Sequence, residues 1–423
     1  MATSAKHLDG LREGLREAVD VNRARLVELC QALVRIDSQN PPGNTGALAD
    51  FIATWIGERP DLEIKRIVPR APITNLIIRL HTGAQGRRLV FNGHLDTFTI
   101  GDESIWTVPP LAGSVRNERI FGRGVSDMKA GLAAALLALD LLYPLRQKLC
   151  GELVLAFAGD EETGGVWGTQ YLLDKVPETR GDAMLSGDAG SPRVVRFGEK
   201  GQMWIEVRAK GRAAHGAHVH LGQNAIVRLM SALQRILAMS DSNGVVPANI
   251  ANVIAAAASV SEPVSGAGES WVLSSTTVNV GTIQGGNAVN LVPDEASARL
   301  DLRFPPGLKC RDIEAKLRDL LRGLDGVEFA ILSQCEPNWT DPDHEIVRLM
   351  LSHGARATGT PVVANMRVGF SDARFYRNAG IPSVVYGPTP YNMGAPDEHV
   401  LISDLEAVAY VHTLAAFDYL SLK

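Results

Sequence analysis

"GELVLAFAGDEETGG" (residues 151–165) decides how this chain is read. Its first eight residues are almost continuously apolar, the pattern of a strand buried on both faces. Such strands belong to mainly parallel sheets covered by helices on both sides. Three carboxylates follow at once, Asp160, Glu161 and Glu162, and then two glycines. Like charges this close repel and shift one another's pKa, unless water dilutes them or a positive charge sits among them. In open α/β sheets ligands bind at the carboxyl edge of the strands. A carboxylate cluster at that edge is either a solvated turn or the place of a cation.

The rhythm continues outward from this stretch. "ITNLIIRL" (73–80), "RRLVFNGHLD" (87–96) and "GDAMLSGDAG" (181–190) read as strands, while "DMKAGLAAALLALDLL" (127–142) and "VWGTQYLLDK" (166–175) read as helices. Near residue 201 the pattern changes. "QMWIEVRAKG" alternates like a half-buried strand. A long amphipathic helix follows, then an irregular Ser/Gly/Ala-rich stretch, two strands near 276–283 and 296–304, a helix near 310–323 and a strand near 327–333. Strand, helix, two strands, helix, strand is the split βαβ order of a small α+β, ferredoxin-like domain. The α/β alternation returns after 335. The expected fold class is thus an α/β catalytic domain, a mainly parallel sheet with helices on both faces, formed by residues 1–200 and 336–423. The smaller α+β domain, 201–335, is expected to be inserted into it.

The chain has 423 residues, more than one ordinary core, so two domains are expected. Hydrophobic residues at 45% and charged residues at 21% mark a globular protein, and the net charge of -5 gives no basis for nucleic-acid binding. The four cysteines (30, 150, 310 and 335) form no C-x-x-C pair, so they suggest buried free thiols rather than a disulfide framework or a thiolate metal site. The N-terminal twenty residues lack the apolar core of a secretory signal. "GLAAALLALDLLYPL" is interrupted by Asp140 and Pro144 and reads as a buried helix, too short to span a bilayer. A cytoplasmic location, a small-molecule substrate and no membrane partner are expected.

Polar clusters lie at or just beyond the strand ends: His94 with Asp96, Asp127, Asp160-Glu161-Glu162, and Asp188. "PDEHV" adds His399 from the C-terminal part. Taken singly, each has a plain reading, a solvated turn for "DEE" and a structural imidazole for His94 or His399. Histidines and carboxylates converging on one edge suit a divalent cation. Glu162 would then be a ligand, with Glu161 beside it as general base for the water that the cation acidifies.

The motifs "FNGHLDT" (91–97), "IFGRGVSDMKAG" (120–131), "FAGDEETGG" (157–165), "SGDAG" (186–190), "GRAAHGAHVHLGQNAI" (211–226), "GTIQGGNAVNLVPD" (281–294), "SDARF" (371–375) and "APDEHV" (395–400) occur in this order across nearly the whole chain. Through them the chain resembles the co-catalytic metallohydrolases that include acetylornithine deacetylase, succinyl-diaminopimelate desuccinylase, aminoacylase and glutamate carboxypeptidases. The resemblance implies residue roles. His94 and Asp188 would bind one metal, Glu162 and His399 a second, and Asp127 would bridge them. Asp96 would orient the His94 ring, and Glu161 would be the general acid and base. A cis peptide after Asp127 is expected. One or two ions of zinc, manganese or cobalt would be bound. The inserted domain would pair two subunits, in a homodimer or a higher homo-oligomer, and His215 would reach the neighbour's site to stabilise an oxyanion. Asn290 and Arg303 would grip a substrate carboxylate, and Gly369 would line the pocket; the plain alternatives are a surface ion pair for Arg303 and a turn glycine for Gly369.

The chain departs from this pattern in two places. "HGAHVH" carries His218 and His220 where relatives often have small residues and a proline; surface histidines, a substrate contact and a second metal site are the readings. "YNMGAPDEH" lacks a further histidine that many relatives carry. The leading expectation is a metal-dependent hydrolase of a C–N bond, most often the amide of an N-acyl amino acid. An aminohydrolase releasing ammonia from an aromatic amine such as a nitroanthranilate is the alternative. A catalytically dead binding protein is a third reading, one that should have lost Glu161 or a ligand.

Overall fold

A computed structural model describes residues 5–241 and 246–421 of the chain. Among these residues, nine strands form one large mixed sheet. Its centre is parallel: Cys150–Ala158, Ala84–His94, Ala183–Ser186 and Ser383–Val385 lie side by side in that order. Antiparallel strands, Leu62–Arg70 and Ile73–His81, extend one side. Val194–Glu199 continues the other, flanked by Asn338–Trp339 and Val363–Arg367.

The apolar strands are explained by two separate cores, one on each face. Leu89, Phe91, Leu153 and Leu155 pack with the helices Arg23–Val34, Ala130–Leu142, Glu345–Thr358 and Ile402–Ser421. Their neighbours Val90, Val154 and Ala156 point the other way, onto Leu172, Leu173 and Tyr376 from the helices Thr169–Lys175 and Ala373–Asn378. Successive side chains of a strand face opposite sides, so a strand covered twice must be apolar at every position. The helical run Val125–Lys148 is long and apolar enough to cross a membrane, longer than its sequence suggests. Its most apolar window is 72% buried within the fold, as in the core helix of a globular body. All four cysteines are free.

A second sheet of four antiparallel strands runs Thr277–Gly285, Glu295–Phe304, Gly201–Lys210, Val327–Cys335. The helices Ala225–Leu237 and Cys310–Leu321 cover one face, with Met203, Ile205 and Val207 against Leu229 and Leu317. This is the expected ferredoxin-like order, and it falls within 201–335.

One part of that range behaves otherwise. The stretch read as irregular contains the helices Ala248–Ser265 and Glu269–Ser274, and Ile250, Ile254 and Leu273 join the core of the large sheet. Ile250, Ile254, Ala257 and Ser261 form one buried stripe at helical spacing, hidden in the sequence by a run of small residues. Arg196 pairs with Glu269 at 2.9 Å, both buried. Lys200 donates to the carbonyls of Val272 and Ser275 at 2.6 and 2.8 Å, and its burial pulls its pKa down to about 7.

Candidate metal centre and active-site cleft

Three parallel central strands deliver residues to one edge. His94 is the last residue of its strand, Glu161 and Glu162 follow Cys150–Ala158 by three and four residues, and Asp188 follows Ala183–Ser186 by two. Asp127 enters from the turn before the helix Ala130–Leu142, and the Asp127–Met128 peptide is cis, as expected. One ligand atom each from His94, Asp127 and Asp188 lies within 4.8 Å of the others, and all three residues are buried.

The electrostatics of this cluster suit a cation among its carboxylates. Burial and the charge of Asp127 push the Glu162 carboxyl up to about 10, against the pull of His94. Burial, with Asp372 and Asp127 adding to it, pushes Glu161 up to about 8 despite His94 and Arg374. Burial also raises Asp188, with Asp127 adding to it. Burial opposes a charge on His94, but its contact with Asp127 overrides this and raises its pKa well above the usual value. Its Nε2 lies 2.8 Å from Asp127 Oδ1, and its Nδ1 lies 2.9 Å from the Asp96 carbonyl. Glu162 Oε1 is buried without a hydrogen-bond partner. A divalent cation fits this donor set of imidazole and carboxylate oxygens. It would use Glu162 Oε1 and supply the charge that lets the carboxylates ionise together.

Asp96 meets the His94 ring with its backbone and, at longer range, with its carboxylate. Its backbone carbonyl, not its carboxylate, takes the His94 Nδ1 proton; the nearest carboxylate oxygen is 3.7 Å away. The carboxylate instead accepts from the backbone N–H groups of Glu161 and Glu162, at 3.2 and 3.1 Å, and from Asn40 Nδ2 at 2.8 Å. Asp96 thus fixes the ring with its backbone and the Glu161-Glu162 turn with its side chain.

His399 lies outside the 4.8 Å cluster. It sits on the short strand His399–Leu401, stacked on Tyr391 at 5.0 Å, with Nδ1 on the Asp397 carbonyl at 2.9 Å. An Nδ1–H donated there leaves the Nε2 lone pair as the coordinating one. Its neighbour Glu398 is buried and holds the Asp127 loop, accepting from Arg123 at 2.6 Å, Ser126 Oγ at 2.8 Å and the Ser126 and Gly124 amides at 3.0 and 3.2 Å.

Glu161 and Glu162 open onto a cleft of about 1020 Å³, which Arg303 and Arg374 also line. Arg374 stands 3.7 Å from Glu161. Arg303 pairs with Asp301 at 2.8 Å, as its plain reading requires, yet its buried Nη1 has no partner. A side chain at Gly369 would meet only Arg367, at 3.9 Å, so packing does not demand glycine there.

His215 and Asn290 are not among the cleft-lining residues. His215 is exposed, on a two-residue ladder with Leu291–Val292, and Asn290 accepts the Gly216 amide at 2.7 Å. His218 lies beside it, the ring centres 6.0 Å apart, and His220 is 5.9 Å further on.

Sequence reasoning missed Arg367, which grips Asp188 at 2.8 Å, and also missed Arg374, Glu398 and Asn40. Arg374 and Glu398 lie inside quoted motifs, "SDARF" and "APDEHV"; Asn40 stands in the loop "SQNPPGN", and Arg367 had no signal.

Comparison with known proteins agrees with this geometry. The profile described as "Peptidase family M20/M25/M40" matches residues 90–418. A succinyl-diaminopimelate desuccinylase of Rhodospirillum centenum is 29% identical over 339 residues, 79% of this chain and 81% of that protein. One from Methylorubrum extorquens is 28% identical over 400 residues, 91% of this chain and 96% of its own length. Among solved structures, an M20 family metallo-carboxypeptidase of Sulfolobus solfataricus superposes with a TM-score of 0.78 at 19% identity, covering 94% of this chain and 99% of that one. A dinuclear metal-binding M20 peptidase of Bacillus subtilis gives 0.66 at 15% identity, covering 95% and 99%. At these identities the superpositions speak for the fold.

Proposed function

This chain belongs to peptidase family M20/M25/M40 and is a metal-dependent hydrolase of carbon–nitrogen bonds; from that premise we propose that its substrate is the amide of an N-acyl amino acid. The observation that carries the reading is one cleft holding both Glu161 and Glu162 together with Arg303, whose Nη1 is unpaired. A guanidinium with a free donor suits a substrate carboxylate. The desuccinylase relatives, whose printed names describe removal of an acyl group from an amino acid, support the same reading.

In this proposal His94, Asp127, Glu162, Asp188 and His399 hold one or two divalent ions. Bound there, a divalent cation would lower the pKa of water to about 7 and polarise a carbonyl oxygen. Glu161 takes the proton of the attacking water as oxygen bonds to the acyl carbon. When the C–N bond breaks, Glu161 returns that proton to the leaving nitrogen, and the products are a carboxylate and an amine. Arg374 keeps Glu161 in place. Arg303, with the open backbone at Gly369, holds the carboxylate of the amino acid, and Asn290, which its own chain places outside the cleft beside His215, joins them from a second subunit. His215 donates to the oxyanion from a second subunit, because its own chain places it outside the cleft; the 201–335 insert then serves as both lid and dimer contact.

The test is a panel of N-acyl amino acids, dipeptides and aminobenzoates on metal-analysed protein, with free carboxylate, amine and ammonia read separately. Glu161→Gln should lower kcat about 10²–10⁴-fold while metal content is retained. A variant as active as the parent refutes the base assignment, and ammonia as the product refutes amide cleavage.

A further inference from the structure

The cleft at Glu161 and Glu162 has one wall that the hydrolytic chemistry does not use. Trp204 lies on the strand Gly201–Lys210, on the face turned away from the covering helices, and is 46% exposed. The same face carries Glu206 and Arg208, so an exposed indole there is out of character with its neighbours. Leu332 is beside it. The pairing of the last two strands slips between Ile331, opposite Ile205, and Ser333, opposite Trp204. Leu332 is the extra residue of that bulge, left unpaired and 49% exposed. Bulges re-aim side chains, often beside active sites.

Turns and a helix beside the large sheet supply further apolar lining. Val166, just past the "DEETGG" turn, is 52% exposed. Phe370 and Phe375 also line the cleft. The Arg374 guanidinium lies 4.3 Å from the Phe375 ring centre and 5.5 Å from that of Phe370, and Arg303 lies 4.6 Å from Phe370. These two cations lie over the phenyl rings, which leaves Trp204, Leu332 and Val166 as the uncovered apolar lining. Among the described residues, the one carboxylate lining the cleft beyond Glu161 and Glu162 is Glu336, and it already accepts the Cys310 amide at 3.0 Å. Ligand sites are mostly apolar, with a few polar groups fixing orientation, and clustered exposed hydrophobics mark contact surfaces. The cleft is also at the upper end of the size usual for small-molecule sites.

Building on the assignment of amide hydrolysis above, we propose that the preferred substrate is an N-acyl amino acid bearing a large apolar group, aromatic best, that rests on Trp204 and Leu332. An exposed indole beside an exposed leucine, in a cleft also lined by two phenyl rings, suits a flat ring better than a charged chain. These two residues then set specificity, and Arg303 sets orientation.

The experiment measures kcat/KM on the metal-loaded enzyme with two matched series. One varies the acyl group on a single amino acid: acetyl, succinyl, octanoyl, benzoyl and phenylacetyl. The other varies the amino acid under one acetyl group: alanine, aspartate and phenylalanine. The best apolar member should exceed the acetyl-alanine and succinyl members by about 10–200-fold. Trp204→Ala and Leu332→Ser should each cut that ratio roughly 10-fold without moving the thermal midpoint, because both side chains are about half exposed. Preference for succinyl or aspartyl members, or an unaltered ratio in both variants, overturns the apolar assignment and leaves amide hydrolysis standing. No turnover of any member overturns both.

Discussion

The two sheets carry their chemistry in opposite ways. At the edge of the large sheet, His94, Asp127 and Asp188 are buried at the ends of packed elements. His94 is held through both ring nitrogens and Asp188 by Arg367. In the smaller unit, His215 lies apart from the four-stranded sheet, exposed on a ladder two residues long, and its Nδ1 accepts one amide hydrogen bond, from Ala217 at 3.2 Å. A parallel strand covered on both faces fixes its last residue before any ligand arrives, because its backbone direction is set by two neighbours. A peripheral turn has no such constraint. The contrast teaches that one half of the proposed machinery is preorganised by its own chain, whereas the other half is left exposed, where the proposed second subunit would take it up.

The sharpest way to break this contrast is His215→Ala. Loss of an oxyanion donor should cost about 10²–10³-fold in kcat, with metal content unchanged. Co-expression of this variant with Glu161→Gln should restore activity in mixed dimers, since one site then receives an intact Glu161 from one chain and an intact His215 from the other. Full activity in His215→Ala alone, or no recovery on mixing, removes the second half of the contrast. Asp96→Asn probes the preorganised half. It sets an amide among the N–H donors of Glu161, Glu162 and Asn40, and should lower metal affinity about 10–100-fold, read by titration against a chelator. The smallest effect is expected at His218→Ala and His220→Ala, exposed neighbours of His215 with no place in the proposed chemistry. Unfolding free energy should stay within about 0.5 kcal/mol of the parent and kcat/KM should not move. A marked loss would give the "HGAHVH" turn a role of its own.

Much of the large sheet was legible in the sequence, because burial on two faces leaves an uninterrupted apolar run and the polar residue ending the run announces the edge. His94, Glu162 and Asp188 could be placed that way. The division of labour within Asp96 could not, since residue type does not say whether a carbonyl or a carboxylate will meet the ring. Arg367 and Glu398 were equally invisible. Each acts on a partner far along the chain, Asp188 and the 123–126 loop, and nothing local marks a long-range ion pair. The helices between 248 and 274 were hidden for another reason. Alanine and serine make a buried stripe without hydrophobic contrast, and Pro263 inside the first helix reads as a break.

Those helices alter the wiring of the molecule. A simple insertion is tethered by one outgoing and one returning strand of polypeptide, and could be cut out as a cassette. Here the chain leaves the large sheet near 200, comes back by 250, departs again near 276 and returns near 338. Four tethers in place of two make excision or exchange of the smaller unit a surgical problem. They also restrict it to pivots that all four connections can follow at once.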